Sequence, residues 1–248
     1  MEENNNELKK VLAEIEENEK SHDNNDIRKN ELGKRKKDSK FIFLIIIGIF
    51  VIILALLFYH YSQSFNAKPI IYLYPEEETE ISVKLGNKES ITCSYPKYID
   101  GWRVFAKPNG DLKDLDTGKN LYALYYESEN TIPFKVEKEG FVVKGENVAE
   151  FLEEKLAILG LTDREAEEFI VYWLPKLEAN KYNYIRFASY EEIEANMPLN
   201  IEPKPDTVIR VLMTYKGLDK EIEVKEQELA QKERIGFVTV EWGGTEIK

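Results

Sequence analysis

The feature that most constrains this chain is an unbroken apolar segment, residues 41–59, with the sequence FIFLIIIGIFVIILALLFY and no charged side chain. As a helix rising about 1.5 Å per residue, the segment would be roughly 28 Å long, close to the hydrocarbon thickness of a bilayer. A helix buried in a globular core seldom reaches this length without a polar face. The segment therefore predicts one transmembrane helix, and the rest of the chain must fold on one side of the membrane or the other.

The charges that flank the apolar segment predict its orientation. Basic side chains crowd the residues before it, whereas Lys68 is the one cation in the fourteen residues that follow. By the positive-inside rule, residues 1–40 lie in the cytoplasm and the remainder lies outside, which makes a single-pass protein of the cell membrane. The basic residues are also expected to contact anionic lipid head groups. They include Arg28, Lys34, Arg35, Lys36, Lys37 and Lys40.

A cleaved signal peptide is the alternative to a permanent anchor, because Ser62-Gln63-Ser64 carries small residues suited to cleavage. Signal peptides are about 15–30 residues in total, whereas 40 residues precede the apolar segment here. The lengths therefore favour an uncleaved anchor. We expect residues 1–40 to form a charged and largely disordered arm, and residues 60–67 to link the membrane helix to an outer domain at 68–248.

The acidic charge of the chain is concentrated in its outer part. The chain has 34 basic and 46 acidic side chains, and its net charge is −12. Residues 1–40 hold 11 acidic and 10 basic residues and so contribute −1, which leaves −11 for the residues beyond 59. A strongly acidic domain argues against nucleic-acid binding, which requires a basic footprint.

Few residues of the outer domain suit nucleophilic catalysis or metal ligation. Cys93 is the only cysteine, and the two histidines, His22 and His60, lie outside residues 68–248. No disulfide can form within the chain. The domain also lacks the histidine that Ser-His-Asp and Cys-His arrangements and histidine-ligated metal sites require. We therefore expect no cofactor and no metal.

Short apolar segments bounded by turn residues predict an α+β domain in which strands outnumber helices. Residues 70–74 (IIYLY) indicate a strand buried on both faces. Alternating apolar residues at 81–85 and 91–95 surround Gly86-Asn87, which predicts a β-hairpin. Further strands are expected near 102–106, 121–126, 141–143, 182–187, 207–215 and 235–242.

The second half of the domain also contains helix patterns. One helix is expected from about Glu146 to Leu159, ended by Gly160. A second is expected to start at Thr162, where Thr162 and Glu165 form a capping box, and to stop before Pro175. A short helix capped by Ser189 and Glu192 is expected before the proline-rich stretch 198–205.

Three stretches of the domain are similar to a group of bacterial proteins. They are KPIIYLYP at 68–75, FIVYWLPKLEANKYN at 169–183 and RIGFVTVEWGG at 234–244. The chain resembles an uncharacterised family of membrane-anchored extracytoplasmic proteins whose domain begins with KP-x-IYLYP and ends with VEWGG. The resemblance covers residues 68–248. It implies one exported folded unit and carries over no activity and no catalytic residue.

The preferred functional interpretation is a membrane-anchored extracytoplasmic binding or interaction module at the cell envelope, with a glycan or a protein as partner. Aromatic rings can stack on sugars or anchor a protein partner, and arginine can bind a carboxylate or phosphate through two N–H groups. Trp242 is a candidate because it precedes Gly243-Gly244, where a backbone can approach a ligand closely. The predicted ligand-binding residues are Trp102, Arg103, Arg210, Arg234, Glu241 and Trp242.

Two alternatives stay open at this point. An enzyme acting on envelope glycans would use a pair of carboxylates, but a domain this rich in acidic residues contains many such pairs by chance. A membrane sensor would pass a signal through the single helix to the arm. The sequence contains no P-loop, GxGxxG or EF-hand motif, so the interpretation as an enzyme is the weaker one.

Overall fold

The computed structural model describes residues 47–54, 66–67, 69–129 and 132–247. The chain divides into two units, Met1–Gln63 and Ser64–Lys248. In the first unit, residues 47–54 are helical and exposed. Within the described parts of the chain, no helix has the length and apolarity that crossing a membrane requires. The predicted arm, its lipid-contacting cations and the remainder of the predicted span lie outside the described residues.

The second unit is an α+β domain, which confirms the predicted fold class. Its helices are α1 (Val148–Ile158), α2 (Asp163–Leu177) and α3 (Tyr190–Asn196), with 3₁₀ turns at Lys88–Ser90 and Gly145–Asn147. Its strands are β1 (Asn66–Ala67), β2 (Ile70–Tyr74), β3 (Thr79–Leu85), β4 (Ile91–Tyr95), β5 (Trp102–Ala106), β6 (Leu112–Asp114), β7 (Asn120–Leu121), β8 (Leu124–Glu129), β9 (Glu139–Lys144), β10 (Tyr182–Phe187), β11 (Leu199–Glu202), β12 (Thr207–Leu218), β13 (Lys225–Glu226) and β14 (Val238–Glu246).

The larger of two sheets is built around a parallel pair. Its order is β1-β8-β2-β14-β12-β10-β9-β13, and β4 also pairs with β8. Strands β12 and β14 run parallel, with Thr207 opposite Val238 and Tyr215 opposite Glu246. Strand β14 is buried at every residue but its last. The expected buried strand at Ile70–Tyr74 is confirmed as β2, which pairs antiparallel with β14.

The smaller sheet, in the order β11-β3-β5-β6-β7, covers one face of the larger sheet. Successive side chains of a strand point to opposite faces, and β2 shows how this divides the core. Ile71 and Leu73 pack with the smaller sheet, whereas Tyr72 packs with helices α1 and α2 on the other face. The domain therefore has three layers, with one hydrophobic cluster on the helix side of the larger sheet and two on its other side.

The hairpin predicted around Gly86-Asn87 is wrong. Strand β3 belongs to the smaller sheet and β4 to the larger one, so the turn connects two sheets. The reason is a long-range pairing: β11 takes the place beside β3, with Leu199 opposite Leu85. Gly86 donates its N–H to the Pro198 carbonyl at 2.8 Å, and a Cβ at this position would lie 2.8 Å from Pro198 Cβ. Tertiary packing at this turn therefore overrides the local hairpin signal.

The prediction that the second helix stops before Pro175 is also wrong, because α2 continues to Leu177. Proline removes the hydrogen bond to the carbonyl four residues earlier, here that of Val171. The loss is tolerated in the last turn of the helix because Trp173 and Leu177, on either side of the proline, are buried in the core. Burial of these two side chains holds the final turn in place.

Both predicted helix caps are confirmed. The Thr162 hydroxyl accepts the Glu165 N–H at 3.4 Å, and the Glu165 carboxylate accepts the Thr162 N–H at 2.8 Å. Ser189 and Glu192 form the same reciprocal pair at the start of α3. Asn66–Ala67, which the sequence places in the linker, instead form β1 and pair with Glu129 and Ser128 of β8.

Candidate functional site

The two tryptophans predicted to contact a ligand are buried. Trp102 is 2% exposed, and its indole N–H donates to the Pro96 carbonyl at 2.9 Å. Trp242 is also 2% exposed and lies in the interior of β14, where its ring centroid is 5.3 Å from that of Phe169. The two rings belong to different hydrophobic clusters, on opposite sides of the larger sheet. In this structure both contribute to the core and neither is presented to a ligand.

The four charged residues of the predicted site fall into three separate places. Arg103 lies exposed on the smaller sheet and pairs with Glu80 at 2.8 Å. Arg234 pairs with Glu165 of α2 at 2.9 Å. Arg210 and Glu241 lie opposite each other on β12 and β14 and form an ion pair at 2.5 Å. The structure therefore brings together only Arg210 and Glu241 of the six predicted residues.

The Arg210–Glu241 pair is buried and fully engaged. The side chains of Arg210 and Glu241 are 1% and 4% exposed. Arg210 also pairs with Glu194 at 2.5 Å and donates to the Met197 carbonyl at 2.9 Å, and Glu241 accepts the Tyr126 hydroxyl at 2.7 Å. Burial disfavours the charge on Arg210, but Glu241, Tyr126 and Glu194 together outweigh burial and raise the pKa of the guanidinium. The network ties the central strands to α3.

A small cavity of about 20 Å³ lies beside this network, between Tyr126, Ser128, Glu241 and Asn196. A cavity of this size holds about one water molecule and has no room for a larger ligand. Burial, followed by the neighbouring Glu241 charge, raises the pKa of Tyr126. The surroundings of Arg210 and Glu241 are therefore suited to a structural role at the centre of the sheet.

A second network joins β2 to α2 through the tyrosines of the IIYLY segment. The Tyr74 hydroxyl donates to Glu165 at 2.7 Å, and the Tyr72 hydroxyl donates to Glu168 at 2.5 Å. The Arg234 guanidinium binds both oxygens of Glu165 and lies 5.0 Å above the Tyr74 ring. Burial, followed by the hydrogen bond to Glu165, raises the pKa of Tyr74. The arrangement locks the helix onto the sheet.

A groove of about 630 Å³ opens beside β9, near the edge of the larger sheet that ends in β13. Binding pockets in proteins commonly fall between about 300 and 1,000 Å³. One wall is helix α1, the other is the segment before β13, and β9 forms the floor. The lining residues are Gly140, Phe141, Val142, Val143, Asn147, Glu150, Phe151, Glu154, Lys155, Glu221, Ile222, Glu223, Val224 and Glu226.

The floor of the groove is an open strand edge. On one side β9 pairs with β10 along Phe141–Lys144. On the other side β13 pairs only with Glu139 and Gly140. In the described ranges of the chain, no further strand continues along that side. A row of unpaired backbone N–H and C=O groups at a strand edge is a template for pairing with another chain.

The charge of the groove is strongly negative. Five glutamates and one lysine line it, the glutamates being Glu150, Glu154, Glu221, Glu223 and Glu226. Lys155 is 13% exposed, pairs with Glu154 at 2.9 Å and with Glu226 at 3.9 Å, and lies 5.2 Å above the Phe141 ring. One lysine does not balance five glutamates, so the groove is dominated by carboxylates and favours a cationic ligand.

Among the described residues, those of the groove included, no three His, Cys, Asp or Glu side chains converge to hold a metal ion. The groove is not evident in the sequence because its residues come from separate segments, 140–155 and 221–226. The run DKEIEVKEQE at 219–228 carries the one visible signal, with acidic residues alternating with Ile222 and Val224. This pattern indicates that one side of the segment is acidic. It does not indicate that helix α1 lies across the groove from it.

Comparison with known proteins gives no family match for this chain. No protein-family model, curated protein or solved structure shows significant similarity to it.

Proposed function

We propose that the chain is a single-pass membrane-anchored binding module whose α+β domain lies outside the cytoplasm and captures a cationic partner. The acidic groove beside β9 carries this proposal, because it combines ligand-sized space with five glutamates and an open strand edge. The apolar segment 41–59 and the basic residues before it support the anchor and its orientation. The candidate partners are a protein and a glycan. A protein with basic side chains fits an acidic groove better than a neutral or acidic glycan does.

The proposal does not extend to catalysis. Glu165 and Glu241 each bind an arginine and a tyrosine hydroxyl, so both carboxylates are occupied by structural partners. The groove glutamates line an open surface, where water is not excluded from a reacting bond. A binding role needs only the charge and the strand edge that the groove presents.

The orientation is testable through the single native cysteine. Cys93 is exposed on β4 of the domain. A membrane-impermeant maleimide added to intact spheroplasts should label the full chain, because the domain faces the outside. The Cys93→Ser variant controls for labelling elsewhere and should stay unlabelled. Labelling of Cys93 only after the membrane is permeabilised would place the domain in the cytoplasm and overturn the proposed topology.

The groove should bind a cationic peptide. Hexalysine, titrated onto the full chain in phosphatidylcholine nanodiscs, is expected to bind with an affinity that falls about tenfold, or ~1.4 kcal/mol, between 50 and 300 mM salt. The triple variant E221Q/E223Q/E226Q removes three carboxylates and should weaken binding by about tenfold or more. Calorimetry or fluorescence anisotropy gives the affinity, with empty nanodiscs as the blank.

A matched control is available in another part of the domain. E76Q/E77Q/E78Q removes the same charge from three exposed glutamates that follow β2. This variant should bind hexalysine as the native chain does, because these residues do not line the groove. Equal losses in the two triple variants would show that only net charge matters, and the groove would then have no specific role.

A further inference from the structure

The open edge of β9 has a defined direction, which follows from its two neighbours. The Gly140 carbonyl accepts the Gln227 N–H at 3.2 Å on the outer side, and Gly145 donates to the Lys181 carbonyl at 3.3 Å on the β10 side. Backbone groups of alternate strand residues point to the same side. The N–H and C=O of Val142 and Lys144 therefore point outward, away from β10, and Val142 lines the groove.

One short strand already pairs with this edge. Lys225 of β13 donates to the Lys138 carbonyl at 3.0 Å and runs parallel to β9. Strand β13 ends at Glu226, which lies opposite Gly140. The strand would have to continue for two more residues to lie opposite Val142. The remaining edge at 141–144 can pair with one more strand. That strand would lie beside β9, next to the end of β13.

The walls of the groove would meet the side chains of such a strand on both faces. Phe141 packs against Phe151 of α1, with ring centroids 5.1 Å apart, so the helix wall covers one face. Ile222 and Val224 pack in the cluster that contains Tyr184, on the opposite face. Alternate side chains of an added strand would therefore point to Glu150 and Glu154 on one side and to Glu221 and Glu223 on the other.

We propose that the groove binds an extended Lys/Arg-rich segment of a partner protein as an added β-strand, paired with Val142 and Lys144 of β9. The inference rests on the proposed binding function and adds the form of the ligand. Backbone hydrogen bonds supply affinity in this mode, and flanking side chains supply specificity. Here the flanking groups are glutamates, so lysine and arginine fit both rows of side chains.

Charge also decides between possible occupants of the edge. A second copy of this chain would place its own groove glutamates against those of the first, and like charges across an interface repel. The linker at 60–67 contains no lysine or arginine. The basic run before residue 41 lies across the membrane in the proposed topology. A basic segment of a separate protein outside the membrane is the occupant that matches the groove.

The backbone of the ligand is the first thing to test. Hexalysine and a hexalysine methylated at every backbone amide carry the same charge, but only the first can donate to β9. On the native chain in nanodiscs, methylation should weaken binding by at least thirtyfold. Hydrogen exchange of the Val142 and Lys144 amides, whose N–H groups point outward, should also slow by at least tenfold when hexalysine binds.

The Val142→Pro variant tests the protein side. Proline removes the outward N–H but no bond to β10, and edge strands accept proline where the N–H faces solvent. The variant should keep its unfolding midpoint and bind hexalysine at least tenfold more weakly, while spermine, a cation without a peptide backbone, binds as before. If Val142→Pro does not fold, the methylated peptide on the native chain still decides.

The outcomes separate the two proposals. Equal binding of plain and methylated hexalysine, with both weakened by E221Q/E223Q/E226Q, would overturn strand addition and leave the cation-binding groove. Absence of hexalysine binding to the native chain would overturn both. Strong discrimination against the methylated peptide, together with slowed exchange at Val142 and Lys144, supports strand addition.

Discussion

Replacing Arg210 by methionine is expected to destabilise the α+β domain by about 3–5 kcal/mol, because it leaves the buried Glu241 carboxylate without its guanidinium. Glu241 is 4% exposed in its side chain, and the Tyr126 hydroxyl is the partner that remains. Domains are typically stable by about 5–15 kcal/mol, so a loss of this size removes much of the stability. Urea unfolding of the full chain in nanodiscs, followed by tryptophan fluorescence, measures the change.

A double variant and a surface control sharpen the expectation. R210M/E241Q removes both charges and keeps an acceptor for the Tyr126 hydroxyl, so it should recover part of the lost stability. Arg103 and Glu80 form an exposed pair, with side chains 59% and 55% exposed, and R103M should leave the unfolding midpoint unchanged. A midpoint for R210M equal to that of R103M would mean that the buried network does not stabilise the domain.

Trp242→Ala is the second large expected effect, a loss of about 3–5 kcal/mol from the cavity that truncation opens. The ring lies between the helix layer and the larger sheet, 5.3 Å from Phe169 and 6.4 Å from Tyr72 by ring centroids. A rearrangement that filled the space would disturb several aromatic contacts at once. The unfolding free energy, from the same urea titration, gives the size of the loss.

Trp242→Phe should retain most of the packing and lose less stability than the alanine variant. In conditions where W242A is still folded, hexalysine binding should match that of the native chain, because Trp242 does not line the groove. The opposite result would be a W242A variant that has the same urea unfolding midpoint as the native chain but fails to bind the peptide. Trp242 would then contact the ligand directly, as the sequence suggested.

Local signals predicted the fold where the structure depends on nearby residues. The buried strand Ile70–Tyr74 and the capping box at Thr162 both follow from a few adjacent side chains. Local signals failed where a distant segment competes, as at Gly86, which packs against Pro198 rather than turning a hairpin. The alternation of residues 91–95 correctly indicated a strand but could not indicate its partner.

The candidate site was harder to predict for the same reason. Tryptophan and arginine are common at binding surfaces, yet Trp102, Trp242 and Arg210 are all used inside the domain. Residue type alone does not distinguish a side chain that contacts a ligand from one that packs in the core. The groove depends on which edge of β9 stays unpaired, and this is settled by where β13 ends.

The pairing of β2 with β14 has a consequence for how the domain is made. Tyr74 lies opposite Val238, so the two strands are separated along the chain by residues 75–237. During synthesis, β2 emerges early, and the edge that it presents to β14 stays unpaired until residue 238 and those after it have followed. Folding of the larger sheet is therefore tied to the last part of the chain to be made, and a chain stopped before residue 238 would expose the edge of β2, whose three central residues are buried in the finished protein.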